Sequence, residues 1–207
     1  MDSDQGAALG RRVASALAGR LAAVMARLER RLSPPPAPPQ AVGRILVLCE
    51  GNLCRSPFAE ELLRARLEPR GLVIESAGLS ARRGSPAPPL ALAAAAQHGI
   101  SLEAHRSRPL TAAMVEAADW ILVMDLDQRR RLLAAHRQAA GKVELLARYD
   151  PDRRASPEIV DPMFGGAELF GRVYARIEAA VDGLADVLAA GGRGGAGAPR
   201  RAEASRR

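Results

Sequence analysis

A cysteine, an arginine six residues later and a serine directly after it share one short run, CEGNLCRSP, residues 49–57. It follows an apolar stretch, RILVLC, and precedes a helix-like one, FAEELLRARL. A strand, a loop containing glycine and a helix N-terminus gather backbone N–H groups around an anion. The run lacks a GK[ST] element, so it is not a nucleotide P-loop. Wrapped into a cradle, it turns Cys49 and Arg55 toward one oxyanion, and the same N–H groups and guanidinium stabilise negative charge on sulfur. A thiolate on the floor of a phosphate cradle is a nucleophile aimed at phosphorus. The leaving oxygen then needs a proton, so a carboxylic acid must stand opposite. Two Asp-Pro dipeptides could supply it, Asp150-Pro151 and Asp161-Pro162, and either alone is also an ordinary turn.

Such groups converge only if the chain between them alternates strand and helix. RILVLC (44–49), LVIESAG (72–78), DWILVMD (119–125) and KVELLA (142–147) read as short apolar strands. SPFAEELLRARL (56–67) reads as a helix with Ser56 as N-cap and Pro57 at its first position. An alanine-rich helix ends at His98-Gly99, and LDQRRRLLAAHR lies between the third and fourth strands. The last helix, about Glu168 to Leu188, carries Phe170, Val173, Ile177, Val181 and Leu184 on one stripe. The pattern predicts an α/β fold, a three-layer sandwich with a central, mainly parallel four-stranded sheet and helices on both faces. Sites in such sheets lie beyond the carboxyl ends of the strands, where Cys49 falls.

At 207 residues, 48% of them apolar, the chain suits one domain with a full core. Its net charge of +7 belongs to the termini. Residues 1–40 hold six arginines against three acids and 191–207 five against one, leaving 19 of each sign between. The body therefore has no excess charge for a nucleic acid groove. Two cysteines and three scattered histidines make neither a disulfide framework nor a good zinc site, so no metal is expected and a reducing, cytoplasmic setting is. Val13, Leu17, Leu21, Val24, Leu28 and Leu32 form an amphipathic stripe over 1–32. This is an extra helix packed loosely on the domain, the product of a start codon upstream of Met25, or a helix for a membrane surface or partner. SPPPAPPQ (33–40) is a stiff linker, 41–190 the domain, and 191–207 a disordered basic tail.

A cysteine ending a strand is more often a small packed residue than a nucleophile. The complete CEGNLCRSP between strand and helix, however, resembles the active-site loop of the low-molecular-weight protein tyrosine phosphatases, and the resemblance extends over about 44–188. It implies Cys49 as nucleophile, Arg55 clamping two phosphoryl oxygens, and a phosphate-binding loop through Glu50, Gly51, Asn52, Leu53 and Cys54. It implies that Asn52 holds the strained loop and Ser56 donates to the thiolate, with Ser76 of ESAG and His105 of EAHRSRPL in a supporting network. The acid implied is Asp161, in EIVDPMFGG just before the final helix, whereas ARYDP with Asp150 matches a non-catalytic segment; Asp125 of VMD matches an acidic supporting residue. No cofactor is implied. Cys54 is either a packed thiol or a resolving cysteine that would form a reversible disulfide with oxidised Cys49.

The chain departs from the family at the pocket walls. Arg82 of LSARRGSPAPP stands near the place of a common aromatic, and only Phe164 of DPMFGG can stack on a substrate ring. DPMFGG resembles the acid loop of the family's phosphoarginine branch, but that branch has threonine where Leu53 stands, so phosphotyrosine is the expected substrate and phosphoarginine the alternative. Glu50 beside the nucleophile would repel a dianion unless it points away, toward Arg82 or Arg83. Thioredoxin-coupled arsenate reductases share the loop but need further cysteines. An idle phosphate-binding or adaptor module is the alternative of another class. A phosphorylated protein is the partner implied, a bacterial tyrosine kinase being one candidate.

Overall fold

β1 (Arg44–Cys49) is buried from Ile45 through Cys49, and no polar residue interrupts it because both its faces are covered. In this computed structural model residues 33–39, 41–67 and 71–192 are described, together with Arg20, Leu21, Val24, Met25 and Leu28. β1 pairs with β2 (Val73–Gly78) on one side and with β3 (Trp120–Val123) on the other, and β4 (Val143–Leu145) lies beyond β3. All pairings are parallel, with Cys49 opposite Gly78 and Val47 opposite both Ser76 and Leu122.

Strand alternation divides the core. Ile45, Val47 and Cys49 face one layer, made of α1 (Arg55–Leu67), α2 (Pro89–Gln97) and α5 (Ala167–Gly192). Leu46 and Leu48 face the other, where Val115 of α3 (Ala112–Ala117) and Leu132 of α4 (Leu126–Ala135) are buried. Each crossover helix hides one apolar stripe, so the three layers follow from the parallel pairing. α5 passes so close to the 3₁₀ turn Leu146–Tyr149 that a Cβ on Gly183 would sit 2.0 Å from the Tyr149 carbonyl oxygen.

Several boundaries differ from the sequence reading. α1 begins at Arg55, so Ser56 lies within its first turn and is not the N-cap; its hydroxyl serves Cys49 instead. β3 stops at Val123 because Asp125 caps α4, accepting from the Gln128 N–H at 2.8 Å. The short α3, capped by Thr111, had no apolar periodicity long enough to announce it. Leu21, Val24 and Leu28 of the N-terminal stripe are helical and exposed, while Val13, Leu17 and Leu32 lie outside the described residues, as does the tail from residue 193. The proline-rich spacer lies against the domain: Pro36–Pro39 line a cavity with Trp120, Lys142 and Tyr149, and the Arg153 guanidinium donates to the Ser33 carbonyl.

Candidate active site

Five residues separate Cys49, the last of β1, from Arg55, the first of α1. The chain beyond β2 grips the start of this loop, Leu79 N–H donating to the Cys49 carbonyl at 3.0 Å and Ser80 N–H to that of Glu50 at 2.9 Å. Gly78 lets β2 approach so closely, since a Cβ there would stand 2.7 Å from the Glu50 oxygen and 2.8 Å from the Asn52 nitrogen. Asn52 adopts φ 51°, a left-handed conformation that asparagine takes more readily than most residues with a side chain, and its surroundings hold it there.

Those surroundings are polar, buried and mutually satisfied. The Asn52 amide donates to Ser56 Oγ at 3.0 Å and to Ser76 Oγ at 2.7 Å, and its oxygen accepts from the Arg108 N–H at 2.9 Å. His105 Nε2 meets the Asn52 carbonyl at 2.7 Å, so that nitrogen carries the proton. Because Ser56 Oγ accepts from Asn52, its own hydrogen is left for the Cys49 sulfur, 3.0 Å away. Ser76 passes its hydrogen to Glu60, a buried carboxylate that also pairs with Arg64. Burial pushes Glu60 up, against the opposing pull of Ser76, Arg64 and Arg108. The result is a continuous chain of dipoles from Glu60 to the sulfur.

Arg55 closes the other end of the loop, its side chain 3% exposed. One terminal nitrogen donates to the Ile159 carbonyl at 2.9 Å and to Asp125 Oδ2 at 3.3 Å, and the other to Asp161 Oδ2. Asp125 thus caps α4 and orients the guanidinium at once; its own carboxyl is pushed up by burial, the Gln128 and Arg55 contacts opposing. The acid loop reaches the site because Ile159 N–H donates to the Met124 carbonyl at 2.8 Å, and Arg176 of α5 holds the carbonyls of Ser156 and Glu158. Asp150 is buried and pairs with Arg176 at 3.2 Å, so it supports the loop that carries Asp161. Phe164, two residues past Pro162, is fully exposed; Leu53 and Met163 are half-buried against the core.

Glu50 does not turn to Arg82 or Arg83. Arg131 of α4 takes it in a two-pronged ion pair at 2.7 and 3.2 Å and also donates to Ser80 Oγ at 2.9 Å. This hydrogen-bonded guanidinium holds the Glu50 carboxyl below the usual carboxylate range. Cys54 is buried beside Cys49 in one apolar cluster, and burial pushes its thiol up to about 12. The residues missed in the sequence are those that act through others. Arg108 and Arg176 carry no local signal, whereas Glu60 four residues before Arg64, Gln128 three residues after the cap Asp125, and Arg131 four residues after Asp127 each offered a local cue to a helix contact but not to the site.

Fold and site together define a cysteine-dependent phosphoric monoester hydrolase. Residues 44–193 match the family model described as low molecular weight phosphotyrosine protein phosphatase. The chain is 41% identical over 138 residues to a probable low molecular weight protein-tyrosine-phosphatase, EpsP, from Ralstonia solanacearum, covering 67% of this chain and 90% of that protein. The tyrosine phosphatase Wzb from Escherichia coli K30, solved with sulphate, matches with a TM-score of 0.66 at 34% identity, covering 72% of this chain and 99% of that one. The YwlE arginine phosphatase from Geobacillus stearothermophilus gives a TM-score of 0.68 at 29% identity, covering 75% and 99%. The chain belongs to the low-molecular-weight protein tyrosine phosphatase family.

Proposed function

We propose that the protein hydrolyses phosphotyrosine on protein substrates, with Cys49 as nucleophile, Arg55 as phosphoryl clamp and Asp161 as acid and then base. The observation that carries the reading is the meeting of Arg55 and Asp161, 106 residues apart, at the end of a loop that begins with Cys49, whose sulfur lies 3.0 Å from Ser56 Oγ. The thiolate attacks phosphorus, the bond to the phenolic oxygen breaks, and the Asp161 carboxyl gives that oxygen its proton. The incoming dianion competes with Asp161 for the Arg55 guanidinium, which releases the Asp161 side chain to the leaving oxygen. In the second step the Asp161 carboxylate takes a proton from water as it attacks the cysteinyl phosphate, releasing inorganic phosphate and the thiolate. Backbone N–H groups of residues 50–55 hold the equatorial oxygens.

Phe164, fully exposed three residues after Asp161, is the ring proposed to stack on the phenyl group, with Leu53 supplying apolar surface in the loop. The structural likeness to an arginine phosphatase keeps phosphoarginine as the second reading. Among partners, a phosphorylated bacterial tyrosine kinase is the substrate to test first. The N-terminal segment, whose described apolar residues are exposed, is proposed as a separate extension through which membrane or partner contact is made. No described helix is long and apolar enough to cross a membrane.

The test is hydrolysis of para-nitrophenyl phosphate under reducing conditions with EDTA, then of phosphotyrosine and phosphoarginine peptides. Turnover lost in Cys49→Ser and reduced about 100-fold or more in Asp161→Ala supports the mechanism, and the peptide ratio decides the substrate. A folded protein without turnover is an idle phosphate-binding module.

A further inference from the structure

The residue after the nucleophile carries a negative charge at the mouth of a loop built for a dianion. Glu50 is 40% exposed at its side chain, and both its oxygens are held by Arg131, itself 36% exposed. The charged and polar groups that face Glu50 are Arg131, Ser80 and, at longer range, Arg55; Arg131 also approaches Asp127 at 3.6 Å. An exposed ion pair of this kind adds little to stability. Its position gives it another consequence. Through its N-cap Asp125, α4 orients Arg55 at the end of the loop, and through Arg131 it takes Glu50 at the beginning.

We propose that Arg131 is a positioning residue for the reaction, masking the Glu50 carboxylate and drawing it aside so that a phosphate dianion can enter. The proposal rests on the phosphatase reading of the loop. With Arg131 removed, the Glu50 charge faces the entering dianion without its counter-ion. With Glu50 removed, the Arg131 charge is left to attract it. The loss of one is therefore repaired by the loss of the other, which a purely structural role of Arg131 would not allow.

The experiment compares wild type with Arg131→Gln, Arg131→Lys, Glu50→Gln and the double variant Glu50→Gln/Arg131→Gln. KM and kcat are measured for para-nitrophenyl phosphate, and the Kd of inorganic phosphate by calorimetry, at low and at about 1 M salt. In Arg131→Gln both KM and Kd rise about 5- to 10-fold at low salt, the scale of one exposed charge acting on a dianion, and the effect shrinks at high salt. kcat changes less than KM. Arg131→Lys, which keeps the charge and loses the fork, stays within about 3-fold of wild type, Glu50→Gln lowers KM, and the double variant returns to within about 2-fold. An unchanged KM in Arg131→Gln, or a double variant as impaired as the single, overturns the proposal. Wild-type turnover tests the phosphatase reading separately, and the phosphate Kd carries the charge effect even without turnover.

Discussion

The Asn52 amide nitrogen lies 2.7 Å from Ser76 Oγ and 3.0 Å from Ser56 Oγ, so one side chain ties the strained loop to β2 and to α1 at once. Asn52→Ala removes both bonds and the one from Arg108, while φ 51° remains unfavourable for the new residue. We expect kcat to fall about 10- to 100-fold and stability by roughly 1–3 kcal/mol. Asn52→Gly relieves the backbone term alone. If Gly recovers stability but not kcat, in melts and steady-state assays, the amide orients Ser56 toward the sulfur; full recovery of both would make the backbone conformation the whole role.

The two Asp-Pro carboxylates should separate in kind. Asp161→Asn lowers kcat about 100-fold or more on a phenolic substrate, with little change in melting temperature, because its side chain is 42% exposed. Asp150→Asn lowers stability by about 1–2 kcal/mol, since Arg176 keeps its carbonyl partners and loses its counter-ion, and impairs kcat far less. Equal effects on kcat from the two changes would contradict the assignment.

Cys54 gives a signature at alkaline pH. Its thiol is raised from 9.0 to about 12, with burial the main cause, so the folded chain holds this proton more tightly than the unfolded one. The stability this contributes is complete below about pH 9 and is lost as pH rises through 12. Cys54→Ala should flatten the fall in denaturation midpoint across that window. Tyr149 and Tyr174, also pushed up by burial, leave a residual slope. In peroxide experiments the same protonation makes Cys54 a slow resolving thiol; protection of Cys49 that vanishes in Cys54→Ser would still establish the disulfide, and unchanged recovery on adding thiol would dismiss it.

Two glycines test what close approach is for. Gly78→Ala drives a methyl into the backbone of Glu50 and Asn52, so activity falls with a stability loss of about 1–3 kcal/mol. Gly183→Ala meets the Tyr149 carbonyl where α5 packs on the 3₁₀ turn, and should lower the melting temperature while KM at reduced temperature stays near wild type. Activity per folded molecule distinguishes the two.

What could be read from the sequence was local. RILVLC reads as a short apolar strand, the run from Ser56 to Leu67 as a helix, and Cys49 with Arg55 as a loop pair at a strand end, because periodicity and short spacing act over a few residues. The resemblance to the family points to Asn52, Ser56, Ser76, His105 and Asp161. Tertiary structure decided the rest through the strand order β2-β1-β3-β4, which sets β2 and β3 on either side of β1. That order brings Arg55 to Asp125 and Asp161, Asp150 to Arg176, and Glu50 to Arg131 rather than to Arg82 or Arg83. These pairings depend on which helix faces which layer, and no pattern local to either partner encodes the meeting.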